Sequence, residues 1–180
     1  MNLENLWAGW RHDYIATTTE RERSGGIAHD EASCVFCGLA QSGPPSVDNL
    51  VVWRGEGSFV VLNAYPYASG HVLVMPLRHV GALGEMTDEE SAEVWMATRR
   101  AVAVIEAAYE PDGLNMGANL GRAAGAGIPA HVHLHVLPRW SGDTNFMTAV
   151  AGTRVMPETL QVAWHKLTEA WPRLARSARP

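Results

Sequence analysis

Three apolar runs divided by turn residues occupy the middle of the chain: Val51 to Trp53, Phe59 to Asn63, and Val72 to Met75 after Ser69-Gly70-His71. Their valine and leucine content predicts neighbouring strands of one sheet. The stretch Gln41-Ser42-Gly43-Pro44-Pro45-Ser46 reads as a loop that sets these runs apart from a cysteine-containing segment before them. Thr87-Asp88-Glu89-Glu90 is a capping-box pattern, and Val94, Ala97, Ala101, Val104, Ile105 and Ala108 follow it at helical spacing, ending before Pro111 and Gly113. An amphipathic helix is therefore expected there. Leu114 to Leu120 is expected as a strand, and a glycine-rich loop from Gly121 to Gly127 leads into another, His131 to Leu137, stopped by Pro138. Leu160, Ala163, Trp164, Leu167 and Trp171 mark a second helix, opened by Pro157. The order predicts an α+β fold, an antiparallel sheet of about five strands with an inserted amphipathic helix and a C-terminal helix. Residues 34–140 are expected as the core domain, 1–33 as an N-terminal extension, and 141–180 as a loop and helix packed on the core.

The strand His131-Val132-His133-Leu134-His135-Val136-Leu137 changes the picture from fold to chemistry. Side chains alternate across a strand, so the three histidines share one face and the aliphatic residues the other. The aliphatic face belongs in a core. Three imidazoles about 6–7 Å apart along the other face carry donors, acceptors and near-neutral pKa values that call for partners. A metal-binding strand is one reading of this face, since alternate histidines can chelate zinc or copper.

Composition narrows the partners. With 180 residues, 47% hydrophobic and 18% charged, the chain has ample material for one packed domain. Its net charge of -5 argues against a protein that grips nucleic acid by its phosphates. A small phosphorylated ligand is still compatible, because backbone N–H groups and a few side chains can hold it. No segment reaches the roughly 20 apolar residues of a membrane span. Met1 to Trp10 lacks the order of a signal peptide. The two cysteines sit as Cys34-Val35-Phe36-Cys37, a spacing that suits metal binding or redox chemistry in a reducing compartment. The protein is expected to be cytoplasmic, with neither membrane nor nucleic acid as partner.

His-Val-His-Leu-His-Val-Leu fits the histidine-triad pattern, His-φ-His-φ-His-φ-φ with φ apolar, and the chain resembles that family from about Cys34 to Trp140. Asn63 followed by Gly70-His71-Val72-Leu73-Val74-Met75-Pro76 is similar to the family's strand pair bearing a ribose-binding Asn and a fourth active-site His. Leu6-Trp7-Ala8-Gly9-Trp10-Arg11, and Pro138 to Phe146 after the triad, resemble the bacterial branch that includes diadenosine tetraphosphate phosphorylases.

The resemblance implies that the substrate is a nucleoside polyphosphate, expected to be a dinucleoside polyphosphate such as diadenosine tetraphosphate, cut at the α-phosphate through a covalent nucleotidyl-histidine. His133 would be the nucleophile, a neutral imidazole that escapes the repulsion anionic oxygens exert on an anion. His135 and His71 would bond phosphate oxygens or the leaving group. Asn63 would hold the ribose, and Asn119, Gly125 and Gly127 would lie near phosphate. Trp140 suits either the core or a wall of the nucleotide pocket. Gly127 is a departure, because relatives that cut dinucleoside polyphosphates often carry Gln or Ser four residues before the first histidine. Some family members bind zinc with a cysteine pair and two histidines, here Cys34, Cys37, His79 and His131, which would make a closed structural site. The family is usually dimeric, so a homodimer is expected. Two other classes stay open: a noncatalytic nucleotide-binding signalling module, and a protein whose histidine strand binds the metal. His12, His29 and His165 have no motif around them, and Arg173, Arg176 and Arg179 read as a solvated basic tail.

Overall fold

A computed structural model describes residues 31–143 and 157–177, with side chains through residue 171. Most of the expected N-terminal extension, the Leu6–Arg11 motif, His12, His29 and the segment from Thr144 to Met156 lie outside the described residues.

The elements in chain order are α1 (Val35–Gln41), β1 (Val51–Arg54), β2 (Ser58–Leu62), β3 (Val72–Pro76), α2 (Asp88–Tyr109), β4 (Gly113–Gly117), β5 (Leu134–Arg139) and α3 (Leu160–Ser177). The strands form one antiparallel sheet in the order β1-β2-β3-β5-β4. The α+β architecture is as expected, and α1, around the cysteine pair, is an addition to it.

Both β2 and β3 are buried along their whole length because the sheet is covered on two sides. On one side Val60, Leu62, Val72, Val74 and Val136 pack with Val94, Ala101, Val104 and Ile105 of α2 and with Ala163 and Leu167 of α3. Fully burying a side chain such as Ile105 or Leu167 contributes about 1.5–3 kcal/mol. On the other side Phe59, Val61, Leu73 and Met75 meet Cys34, Phe36 and Cys37. That second side also carries His135, which pairs with Leu73.

The Thr87 capping box forms in full: Glu90 N–H donates to Thr87 Oγ1 at 3.2 Å, and Thr87 N–H donates to Glu90 Oε2 at 2.9 Å. At the other end Glu110, with φ 45°, turns the chain out of α2 just before Pro111. The Trp164 indole donates to the Val51 carbonyl at 2.8 Å and fastens α3 to the sheet.

Three boundaries differ from expectation. The fourth strand ends at Gly117, not Leu120, and the third helix starts at Leu160, where Thr159 Oγ1 accepts the Val162 N–H at 3.3 Å, not at Pro157. The triad strand is shifted: β5 begins at Leu134 and runs through Pro138 to Arg139. Pro138 is tolerated because pairing with β3 stops at Val136, so no donor is required of it on that side. His131 and His133 precede the ladder, their backbone carried by single bonds such as Val132 N–H to the Val80 carbonyl at 2.7 Å.

Candidate functional site

His135 is paired with Leu73, on the sheet side away from α2 and α3, while Val136 faces the helices. The three imidazoles thus lie on the α1 side of the sheet, although only His135 sits within the regular strand. His133 Nδ1 is 2.8 Å from the His131 carbonyl. A carbonyl can only accept, so Nδ1 carries the proton and Nε2 keeps its lone pair. Phe36 meets both His131 and His133 edge-on, with ring centroids 5.6 and 5.1 Å away. Burial outweighs the hydrogen bond to the His131 carbonyl and holds the His133 pKa below its ordinary value. That shift favours the neutral ring, in which the bond to the carbonyl leaves Nε2 as the nitrogen with the lone pair.

A second pair of rings has its tautomers fixed from outside. His71 is fully buried, and its Nδ1 accepts the Tyr67 backbone N–H at 3.0 Å, with Asn63 Nδ2 at 3.3 Å. Its proton is therefore on Nε2, which donates to His135 Nδ1 at 3.0 Å. His135 must then carry its own proton on Nε2, a buried atom with no hydrogen-bond partner among the described residues. Burial, reinforced by the neighbouring His133, brings the His135 pKa down to about 4. One neutral ring offers a lone pair, and the ring beside it, 5.1 Å between centroids, offers an N–H donor. Nucleophile beside donor is what displacement at phosphorus requires. Both His71 nitrogens are engaged within the protein, so in this geometry it acts through His135.

Four further groups converge under α1. The ligand atoms of Cys34, Cys37, His79 and His131 all lie within 4.8 Å of one another. His131 Nδ1 is 3.6 Å from Cys34 Sγ and 3.5 Å from Cys37 Sγ, and His79 Nδ1 is 3.2 Å from Cys37 Sγ. Around a tetrahedral zinc, bonds of about 2.0–2.3 Å put neighbouring N and S ligands about 3.5 Å apart. The spacing fits. Pro76 supports it, because its carbonyl takes the His131 Nε2 proton at 2.9 Å and turns the Nδ1 lone pair to the thiols. Burial, with Cys34 alongside, pushes the Cys37 thiol up to about 12, so a cation would be needed to draw off its proton near neutrality.

The remaining expected residues are less concentrated. Asn63 stands beside His71, with Oδ1 accepting the Tyr65 N–H at 2.9 Å. Asn119 lies two residues beyond Gly117, the partner of His135. Gly125, in a left-handed conformation, gives its N–H to the Arg122 carbonyl at 2.8 Å, and Gly127 is exposed. Trp140 packs edge-on at 6.2 Å against Tyr109 of α2, on the helix side of the sheet rather than beside the imidazoles. His165, on α3, meets Trp164 edge-on, away from the triad imidazoles. Sequence reasoning passed over Tyr67 and Phe36. Tyr67 supplies the bond to His71 and stacks on His135 at 5.8 Å with planes 13° apart. Its signal was an aromatic-rich connection, Tyr65-Pro66-Tyr67, leading into His71.

Comparison with known proteins identifies the family. The AP-4-A phosphorylase of Mycobacterium tuberculosis is 38% identical over 171 residues, covering 95% of this chain and 86% of that protein. A bis(5'-adenosyl)-triphosphatase from Dictyostelium discoideum is 37% identical over 93 residues, 52% of this chain and 62% of that one. Among solved structures, a zinc-bound histidine triad family protein from Mycobacterium smegmatis superposes with a TM-score of 0.66 at 27% identity, covering 82% of this chain and 99% of that one. The HIT domain model matches residues 45–142, which hold the sheet, α2 and all three triad histidines. The chain belongs to the HIT domain family, the histidine-triad proteins.

Proposed function

We propose that this protein is an enzyme that cleaves a dinucleoside polyphosphate such as diadenosine tetraphosphate next to one nucleoside, through a nucleotidyl-histidine on His133. The observation that carries the reading is the tautomer pair: His133 with its lone pair on Nε2, beside His135 with its proton on Nε2. His133 Nε2 attacks the α-phosphorus, a P–N bond forms, and the bond to the bridging oxygen breaks. The electron pair leaves on that oxygen, whose charge the His135 N–H stabilises. Water or inorganic phosphate then attacks the same phosphorus and releases His133. Asn63 would orient the ribose. Asn119, with the Gly125–Gly127 segment, would receive the remaining phosphates. The relatives named for phosphorylase and triphosphatase activity support nucleotidyl transfer or hydrolysis as the reaction class.

Zinc is the cation this donor set suits, held by Cys34, Cys37, His79 and His131. With four protein ligands it would tie α1 to the sheet rather than activate water. A homodimer is part of the reading, supported by β4, an edge strand with its backbone unpaired on one side among the described residues. No helix among the described residues is long and apolar enough to cross a membrane.

The test is incubation with diadenosine tetraphosphate, with and without phosphate, followed by product identification. ADP plus ATP marks phosphate as acceptor, and AMP plus ATP marks water. Absence of turnover with intact fold would favour a nucleotide-binding module instead.

A further inference from the structure

The loop between β2 and β3 carries the backbone N–H that fixes His71, so whatever holds that loop also holds the donor side of the site. Gly70, immediately before His71, has φ +74° and rests on Tyr109 near the C-terminal end of α2. A Cβ at Gly70 would lie 2.6, 2.9 and 3.1 Å from three atoms of the Tyr109 ring, and these are its nearest neighbours. The ring itself is held from three directions. Tyr109 Oη donates to Glu158 Oε1 at 2.7 Å, and Lys166 Nζ donates to Glu158 Oε2 at 2.7 Å. The Lys166 ammonium stands 5.0 Å from the Tyr109 ring centroid, and Trp140 meets the ring edge-on. The loop also borders a cleft of about 260 Å³, lined by Pro66, Ser69 and Gly70 and, across from them, by Glu158, Thr159 and Leu160. Within that border the Tyr109 ring is the close packing contact of Gly70.

We infer that Tyr109, pinned by Glu158 and Lys166 at the start of α3, is a positioning residue for the reaction: its ring sets the height of Gly70 and hence the His71–His135 hydrogen bond. Tyr109 touches none of the reacting imidazoles among its described contacts. It acts through the backbone of Gly70 and His71. The C-terminal helix gains a role by this, since Lys166 on it and Glu158 just before it both reach the ring. Glycine is required at position 70 twice over, for the left-handed backbone and for the approach to the ring. A shift of about 1 Å in a catalytic group can cost on the order of 10²-fold in rate.

The test compares Tyr109→Phe, Tyr109→Ala and Gly70→Ala in the full chain with its metal in place. The first readout is the proton NMR resonance of the buried His71 Nε2–H bonded to His135, which needs no substrate. It should exchange faster in Tyr109→Phe, where the ring remains but its bond to Glu158 is gone, and be lost in the other two. The second readout, which rests on the proposed nucleotidyl transfer, is turnover of diadenosine tetraphosphate. There kcat should fall about tenfold to a hundredfold in Tyr109→Ala and Gly70→Ala, with KM little changed, and fall less in Tyr109→Phe, which keeps the ring under Gly70. If Tyr109→Ala does not fold, Gly70→Ala perturbs the same contact from the other side. A folded Tyr109→Ala that keeps the resonance overturns the inference, even if Gly70→Ala loses it, because strain at Gly70 alone would then explain the loss. An unchanged resonance in Gly70→Ala overturns it as well. If wild type lacks turnover, the resonance still decides the inference, and only the proposed reaction fails.

Discussion

Replacing His71 by alanine separates a phosphate contact from a tautomer relay. In wild type its Nδ1 takes the Tyr67 N–H at 3.0 Å and its Nε2 donates to His135 at 3.0 Å. Without the ring, His135 can place its proton on either nitrogen, and the donor aimed at the leaving oxygen is no longer enforced. Losing such a donor outright costs about 2.7–4 kcal/mol, or 10²–10³ in rate. Because His71 acts one ring removed, we expect about a 10²-fold loss in single-turnover rate, with substrate affinity little altered. Removing a fully buried side chain should also cost about 2–4 kcal/mol of stability, so the assay belongs well below the variant's melting temperature. His71→Gln is the informative partner. Its amide oxygen can accept from Tyr67 while its NH₂ donates to His135, and it should recover part of the rate. A folded His71→Ala variant with wild-type single-turnover rate, or a Gln variant no faster than Ala, would refute the relay.

Zinc should co-purify near one equivalent per chain, and Cys34→Ala should lower both metal content and melting temperature more than it alters the chemistry; folded, active wild type without zinc contradicts this. The His135 pKa of about 4 lies below its ordinary 6.5, so the unfolded chain takes up the proton first. Stability from this ring is complete above pH 6.5 and is lost as pH falls toward 4, with an upper bound of about 3 kcal/mol. Urea midpoints should fall across that window and fall less steeply in His135→Gln; equal slopes would count against burial of a neutral ring. Thr87→Ala removes a capping side chain and should cost about 1 kcal/mol in urea unfolding without changing turnover, whereas no change in stability would mean water replaces the cap.

Local signals were the legible ones. Thr87 and Glu90 lie three residues apart and close their box within one turn, so position alone identified them. Alternation placed the triad histidines on one side even though β5 starts only at Leu134; before it, Val132 N–H bonds the Val80 carbonyl. Pro138 misled, since a proline stops a strand only where its missing N–H would have been used. The four sulfur and nitrogen ligands came from the family resemblance, and their convergence depends on α1 folding back across the sheet. Contacts between distant segments left no trace. Nothing in Phe36 marks it as the neighbour of His133 across 97 residues of chain, and nothing in Tyr109 marks it as the floor under Gly70. Pairings of this kind are set by packing, which a periodic pattern does not encode.

The central claim concerns His133, and one measurement addresses it directly. Wild type is quenched without acid during turnover of a substrate labelled at the α-phosphate, and the protein is assayed for bound label. The lone pair on His133 Nε2 predicts label that is stable to base and labile to acid, as a phosphoramidate should be. His133→Asn should keep the fold and nucleotide affinity while losing both label and turnover, by several orders of magnitude in rate. A His133→Asn variant that turns over substrate near the wild-type rate would contradict the covalent mechanism and point to direct attack by water.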